Sequence, residues 1–418
     1  MQEISFDNNL YRFIRDINSL KSTLSLLLSA INEELNSAKI HLDQYLSKYA
    51  TEIKTDDHGN KNFILNGDHF RQVSSMTNQI DHLNNAKKLL PKNYLVSLIS
   101  QYDAFLGGLI SVIYFIKPEL LNSNEKNISF CQLNSFKTID DVKQFIIEKE
   151  VDAVIRDSHI NQIKWLETKL SIKLREDLNI WTNFVEITER RNLFVHTDGK
   201  VSSQYLYVCR ENKVVFENEP SLGDCLDVSD DYFSNACNYF FEMGVKLTSV
   251  FWRKLSPDDR KNADSSLNQI CYSLISLEEY DLAINLLKFA TEIIKKHSSE
   301  ENFLYMLLNK AQAYKWNNQL NMCESILNSV DWSAKNETFQ LVRLVLLDDF
   351  EKAAKLMKRV ANIEGINKID YKDWPIFKEF RKSSHFQKSY EEIYNEKFQI
   401  DENYIPTDVE DECRENYE

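Results

Sequence analysis

The residues best suited to chemistry lie in one run, Glu189-Arg190-Arg191-Asn192-Leu193-Phe194-Val195-His196-Thr197-Asp198-Gly199. Arg191 is a permanent cation whose planar fork matches phosphate oxygens. His196 brings an imidazole, a group that accepts or donates a proton near neutrality. Asn192 stands four residues before His196, so the two share a helix face, and Asn192 can bond a phosphate or hold the imidazole. Arg190 is a second candidate phosphate contact, with a surface ion pair as its plainer alternative. The set supplies charge stabilisation and proton transfer without calling for a metal.

Spacing alone is weak support. In a chain with 14 Arg and 8 His, Arg-x4-His arises by chance about 0.3 times. Context adds more: the arginine is doubled, Asn follows at once, and Gly199 stands where a helix would end. Upstream, the apolar stretch 94–116 carries a carboxylate, Asp103, able to pair with one of the arginines and orient it. Arg191 and His196 are five residues apart, hence about 140° around a helix and roughly 7.5 Å along it. One helix presents such a pair poorly to a single phosphate. Two copies meeting across a twofold axis would bring both pairs into one cleft.

The elements that must hold these residues are helical. Only 8 Gly and 6 Pro occur in 418 residues, while 43% of the chain is hydrophobic, with 24 Phe and 19 Tyr. Turn-rich folds need more turn residues, and a disordered chain has fewer bulky ones, so the expectation is a multidomain all-α protein. Residues 5–50 read as one or two amphipathic helices, and 55–68 as a polar, hairpin-like interruption. A helix over 70–90 is expected to break at Pro91, before the apolar helix 94–116. Thr138 with Asp141 forms an N-terminal cap, and helices follow over 145–155, 160–170, 177–195 and 231–252. Alternation of Tyr205, Tyr207 and Cys209, then Val214 and Phe216, suggests a short hairpin between them.

From Pro257 the texture changes to helical pairs. Tyr280-Asp-Leu-Ala283, Leu320-Asn-Met-Cys323 and Phe350-Glu-Lys-Ala353 can be superposed, each with a large residue three positions before a small one. This resembles a tetratricopeptide-like array over about 260–395, which implies an α-solenoid arm with a surface for a protein partner.

The run Arg191-Asn-Leu-Phe-Val-His196, followed by Gly199 and Tyr205, resembles the signature of the HEPN superfamily of α-helical domains over about residues 91–250. The resemblance implies a metal-independent endoribonuclease that works as a homodimer, in toxin, abortive-infection or antiphage systems. It assigns catalysis to Arg191, Asn192 and His196, a substrate contact to Arg190 and a supporting place to Asp103, with RNA as substrate and no cofactor. A non-catalytic HEPN-like adaptor is the alternative, and a toxin acting on a target other than RNA is a third. The resulting division is an N-terminal helical region 1–90, a catalytic domain 91–255, repeats 256–398 and an acidic tail 399–418.

Charge and cysteines bound the remaining choices. The formal net charge is −14, and the tail 399–418 alone holds eight acidic side chains against Arg414. Residues 160–200 hold seven basic and six acidic groups, leaving a locally neutral surface for a polyanion. The tail is expected either to aid solubility or to mimic RNA over the cleft. Seven scattered cysteines without a CxxC pair point to inert thiols in a reducing cytoplasm. Residues 1–10 are polar and show no signal peptide. The stretch 94–116 could span a bilayer, but Asp103 and the lack of a basic flank favour a buried helix and no membrane. The Asp56-Asp57-His58 and Asp68-His69 groups are expected to be solvated rather than metal ligands. Trp374-Pro375-Ile376-Phe377 and Phe380 read as core packing.

Overall fold

The computed structural model describes residues 5–55, 61–123, 128–176, 178–361 and 366–399. Among them are sixteen α-helices and one two-stranded sheet, so the chain is all-α in class. It divides into two compact units, Met1–Thr248 and Ser249–Glu418.

The first unit begins with α1 (Phe6–Tyr49), started by the Ser5 side chain accepting from the Asn8 N–H. Leu10, Phe13, Ile17 and Leu24 form its buried stripe. Next comes a hairpin of β1 (Glu52–Thr55) and β2 (Lys61–Ile64), antiparallel, with Glu52 opposite Ile64. The Asp56-Asp57-His58 group lies outside the described residues. The chain returns along α1 as α2 (Gly67–Ile116), a single 50-residue helix.

Pro91 therefore does not break the helix, and the division expected at residue 91 falls inside α2. Pro91 donates no bond to the Lys87 carbonyl, a local loss of about 3 kcal/mol or more in an isolated helix. It is buried, and α1 packs along α2, so tertiary contact holds the axis where the local rule ends it. The C-terminal half of α2 is the centre of the unit: Leu95, Leu98, Ile99, Tyr102, Leu106, Leu109 and Ile110 are fully buried. By length and composition α2 could cross a bilayer, although 56% of its apolar window is buried inside the protein. Gly244 is where another helix comes close, because a Cβ there would sit 2.6 Å from the Phe13 ring.

After a 3-10 turn at Pro118–Ser123 come α3 (Phe130–Leu133) and α4 (Ile139–Ile155). Thr138 and Asp141 make the reciprocal cap on α4. Then follow α5 (His159–Leu170), α6 (Trp181–Thr197), α7 (Ser203–Glu211) and α8 (Asp230–Leu255). Helix α7 replaces the hairpin expected from Tyr205, Tyr207 and Cys209. Tyr205 and Cys209, one helical turn apart, are buried against Leu193 and Val201, while Tyr207 is exposed. The four-residue period decides the outcome, and the period-two reading fails. Extended pairing does occur nearby, where Val201 N–H donates to Asp224 O and Leu226 N–H to Gly199 O.

The second unit begins within α8. Three helical pairs follow: α9 (Arg260–Ser276) with α10 (Tyr280–Lys288), α11 (Glu300–Trp316) with α12 (Leu320–Asn328), and α13 (Glu337–Leu346) with α14 (Phe350–Val360). Each superposed segment of the sequence opens the second helix of a pair. Ala283, Cys323 and Ala353 are buried at the same position in each. Two residues before each segment stands a left-handed residue: Glu278, Asn318 or Asp348. Helix α11 packs against α9, α10, α12 and α13. The unit ends with α15 (Lys368–Asp373), two 3-10 turns and α16 (Ser384–Tyr394). Phe377, Phe380, Phe386 and Tyr390 are buried there as an aromatic cluster; of the residues expected to pack as core, Ile376, Phe377 and Phe380 are buried and Trp374 is half-buried. Residues 400–418 of the acidic tail, Cys413 among them, lie outside the described residues.

Candidate functional site

Helix α6 carries the motif, and its buried face (Phe184, Val185, Ile187, Thr188, Leu193) is set against the rest of the unit. It ends at Thr197. Asp198 turns left-handed and the Gly199 N–H donates to Leu193 O at 3.1 Å, with Gly199 at φ +82°. A Cβ on Gly199 would meet both the Phe194 ring and Leu226 O within about 3 Å, so this stop needs glycine.

Arg191, Asn192 and His196 all line one open cavity of about 460 Å³, in company with Asp103, His159 and Glu189. One helix thus brings the pair to a common space, although its 140° spacing argues against it. The long Arg191 side chain bridges the angle, drawn toward α2 by an ion pair of Nη2 with Asp103 Oδ2 at 3.3 Å. Nη1 donates to Asn192 Oδ1 at 3.1 Å, while Nε is buried without a partner. The pairing expected between Asp103 and an arginine is made by Arg191. Asn192 holds Arg191 and Glu189 and makes no bond to His196. His196 is exposed at the cavity rim.

Arg190 is placed elsewhere. One residue along α6 it points about 100° away, into a buried polar cluster. Its Nε bonds Glu186 Oε1 at 2.7 Å, Nη1 bonds Asp227 O at 3.0 Å, and the guanidinium covers the Tyr232 ring at 4.2 Å. Tyr205 and Tyr232 both donate to Glu186, at 2.7 and 2.6 Å. Arg190 is not among the residues lining this cavity, and in this structure it pairs with the buried Glu186 in place of the substrate contact expected of it.

Three further cavity residues, His159, Glu189 and Arg156, are assigned no role by the sequence. His159 Nε2 lies 3.1 Å from Asp103 Oδ1, on the carboxylate oxygen that Arg191 does not use. A signal for it exists in the sequence, because His159, Gln162, Ile163, Leu166 and Leu170 form the buried stripe of α5 and a histidine on such a stripe needs a polar partner. Glu189 sits two residues before Arg191 on the same helix. Burial raises its pKa, and this outweighs the lowering by the His159 charge and the Asn192 hydrogen bond. It therefore holds a proton more readily than an ordinary glutamate. Arg156 at the α4–α5 junction is exposed and within 3.6 Å of Asp152.

Elsewhere the Asp68-His69 pair is not simply solvated. His69 Nδ1 is 2.8 Å from the Tyr45 hydroxyl, and its ring stacks on Tyr49. Burial pushes the thiols of Cys209 and Cys237 up to about 12, which makes both poor nucleophiles. Among the described residues no group of three or more His, Cys, Asp or Glu is placed to hold a metal ion. Neither protein-family models, nor curated proteins, nor solved structures match this chain.

Proposed function

We propose that this protein is a metal-independent endoribonuclease of the HEPN type, acting as a homodimer in the cytoplasm in a toxin or antiphage role. The observation that carries the reading is the convergence of Arg191, Asn192 and His196 on one open cavity, with Asp103 fixing the arginine. The chemistry asks for those groups. In RNA the 2′-hydroxyl attacks the adjacent phosphorus, its proton passes to a base, and the 5′-oxygen leaves with a proton from an acid. His196 is the proton carrier at the rim. Arg191 answers the charge that builds on the phosphoryl oxygens, and Asn192 holds its fork. Glu189, its carboxyl shifted toward the protonated form, is a second proton source in the same cavity.

A twofold dimer would set two copies of this cavity edge to edge and supply two His196 side chains, one for each proton. The helical pairs of the second unit fit a surface for a protein trigger or regulator.

The deciding experiment incubates purified full-length protein with end-labelled RNA in EDTA. Cleavage with 2′,3′-cyclic phosphate and 5′-hydroxyl ends, absent in Arg191→Ala and His196→Ala, supports the ribonuclease. Wild-type protein that binds the RNA and leaves it intact selects the adaptor. Ends bearing a 5′-phosphate, or activity lost on chelation, would point to metal-dependent cleavage.

A further inference from the structure

Asp103 stands between two donors. Arg191 takes one carboxylate oxygen at 3.3 Å, and His159 takes the other at 3.1 Å. The three come from distant parts of the chain: α2, α5 and α6. A carboxylate paired with arginine only accepts, so the hydrogen between His159 and Asp103 resides on Nε2. His159 is itself fixed. It is the first residue of α5, behind the Ser158 cap, buried with its ring edge-on to Phe184 and within 6.1 Å of the Tyr102 centroid. A carboxylate bonded at one oxygen alone can rotate about its Cβ–Cγ bond. A carboxylate bonded at both cannot, and its plane dictates where the guanidinium lies.

We infer that His159 is a positioning residue of this site, which acts through Asp103 to hold the Arg191 guanidinium facing the cavity. The inference rests on the ribonuclease reading and deepens it by adding a residue that the motif does not contain. It differs from a packing role in a way that chemistry can separate. Packing needs the ring, whereas positioning needs an N–H at the place of Nε2. Gln matches the imidazole Nε2 with its own amide nitrogen, whereas Phe matches the ring and offers no donor.

The test measures kcat and KM on a fluorogenic oligoribonucleotide with full-length wild type, His159→Gln, His159→Phe, Asp103→Asn, the Asp103→Asn/His159→Phe pair and His196→Ala. Positioning predicts that His159→Phe loses about tenfold to a hundredfold in kcat with KM nearly unchanged. His159→Gln should keep most of the rate, and His159→Phe should cost little more once Asp103 is already Asn. A Phe variant as active as wild type, a Gln variant as poor as Phe, or losses that simply add in the pair would overturn the inference. If His159→Phe does not fold, the same cycle is run with His159→Asn, whose amide is too short to reach Asp103. Losses that overlap with those of Asp103→Asn then support positioning, and losses that add overturn it. Cleavage that needs His196 but ignores His159 removes this inference alone. RNA left intact by the wild type removes the ribonuclease reading, and this inference falls with it.

Discussion

Asp103 with Arg191 and His159 in the first unit, and Asp264 with Arg253 and His297 in the second, are built from the same three side-chain types. They differ in how completely the carboxylate is used. Asp264 is fully buried and accepts from Arg253 Nη2 at 2.6 Å, from the Ser298 N–H at 2.6 Å and from the Ser298 hydroxyl at 2.8 Å, with His297 Nδ1 at 3.4 Å. Asp103 keeps 20% of its side chain exposed, has two partners, and opens onto a cavity. The buried cluster ties the end of α8 to α9 and to the segment before α11; its carboxylate is fully used and closed to solvent, while Arg253 Nε and both His297 nitrogens are buried without a hydrogen-bond partner. The cavity cluster leaves charge and donors unspent. Residue types alone do not make a candidate site, and neither do unpartnered donors, which both clusters hold; access to a cavity is what separates them.

Substitutions can break this comparison, and the largest effects should come from the cavity. His196→Ala and Arg191→Ala should each reduce RNA cleavage by about 10²–10⁴-fold, measured by single-turnover kinetics. Thermal melting should move little for His196→Ala, since His196 is exposed. Expression of the wild type in bacteria should inhibit growth and that of either variant should not. Equal toxicity of all three would end the ribonuclease reading.

Asp264→Ala should do the reverse, lowering stability by about 3 kcal/mol or more because Arg253 is left buried and uncompensated. The readout is a calorimetric loss of the transition that belongs to the second unit. Asp103→Asn, by contrast, should cost about tenfold or more in rate with less than about 1 kcal/mol in stability. Both variants measured side by side sharpen the contrast between a cluster that holds the fold and one that holds a site.

Acid separates the two as well. Burial acts to raise the Asp264 pKa, but the nearby His297 imidazole, the Ser298 hydrogen bonds and the Arg253 charge outweigh it and hold it well below the usual carboxylate range. A carboxyl depressed in the folded state adds stability above its unfolded value, about 3.9, and loses it as pH falls toward the folded value. The second unit should therefore hold the full contribution of Asp264 at pH 5 and lose it progressively below about pH 4. Asp264→Asn should flatten that part of the stability–pH curve, and an unchanged curve would show that Asp264 does not govern it. The smallest effect is expected at the polar cluster around Arg190. Tyr232→Phe removes one bond to Glu186 and should cost about 1 kcal/mol, with cleavage unaltered. A fall in cleavage there would return Arg190 to the substrate.

Much of the architecture was legible from periodicity. The caps at Thr138 and Gly199 and the small buried residues Ala283, Cys323 and Ala353 are local signals that survive into the folded chain. Two local signals did not survive. Pro91 reads as a break because its ring removes one backbone bond, yet the contact between α1 and α2 outweighs that loss. Tyr205, Tyr207 and Cys209 fit a strand and a helix alike, and only burial against Leu193 and Val201 chooses between them.

The site divides in the same way. Arg191, Asn192 and His196 are neighbours in sequence and share a helix, so their types and spacing pointed to a candidate chemistry without the fold. Which arginine faces the cavity was a tertiary matter. Arg190 and Arg191 are adjacent and alike; the sequence put Arg191 first by its spacing to His196 and left Arg190 open between a phosphate contact and an ion pair. The carboxylates around them separate the two, with Glu186 capturing Arg190 and Asp103 pairing with Arg191. His159 reaches Asp103 across 56 positions, and Asp103 reaches Arg191 across 88. Helix periodicity acts over about a turn, and such contacts form only when three helices pack. The sequence by itself determined the helices, their caps and the reactive residue types, because these depend on bonds within a few residues. The tertiary structure decided which of those residues meet, because that depends on which faces are buried together.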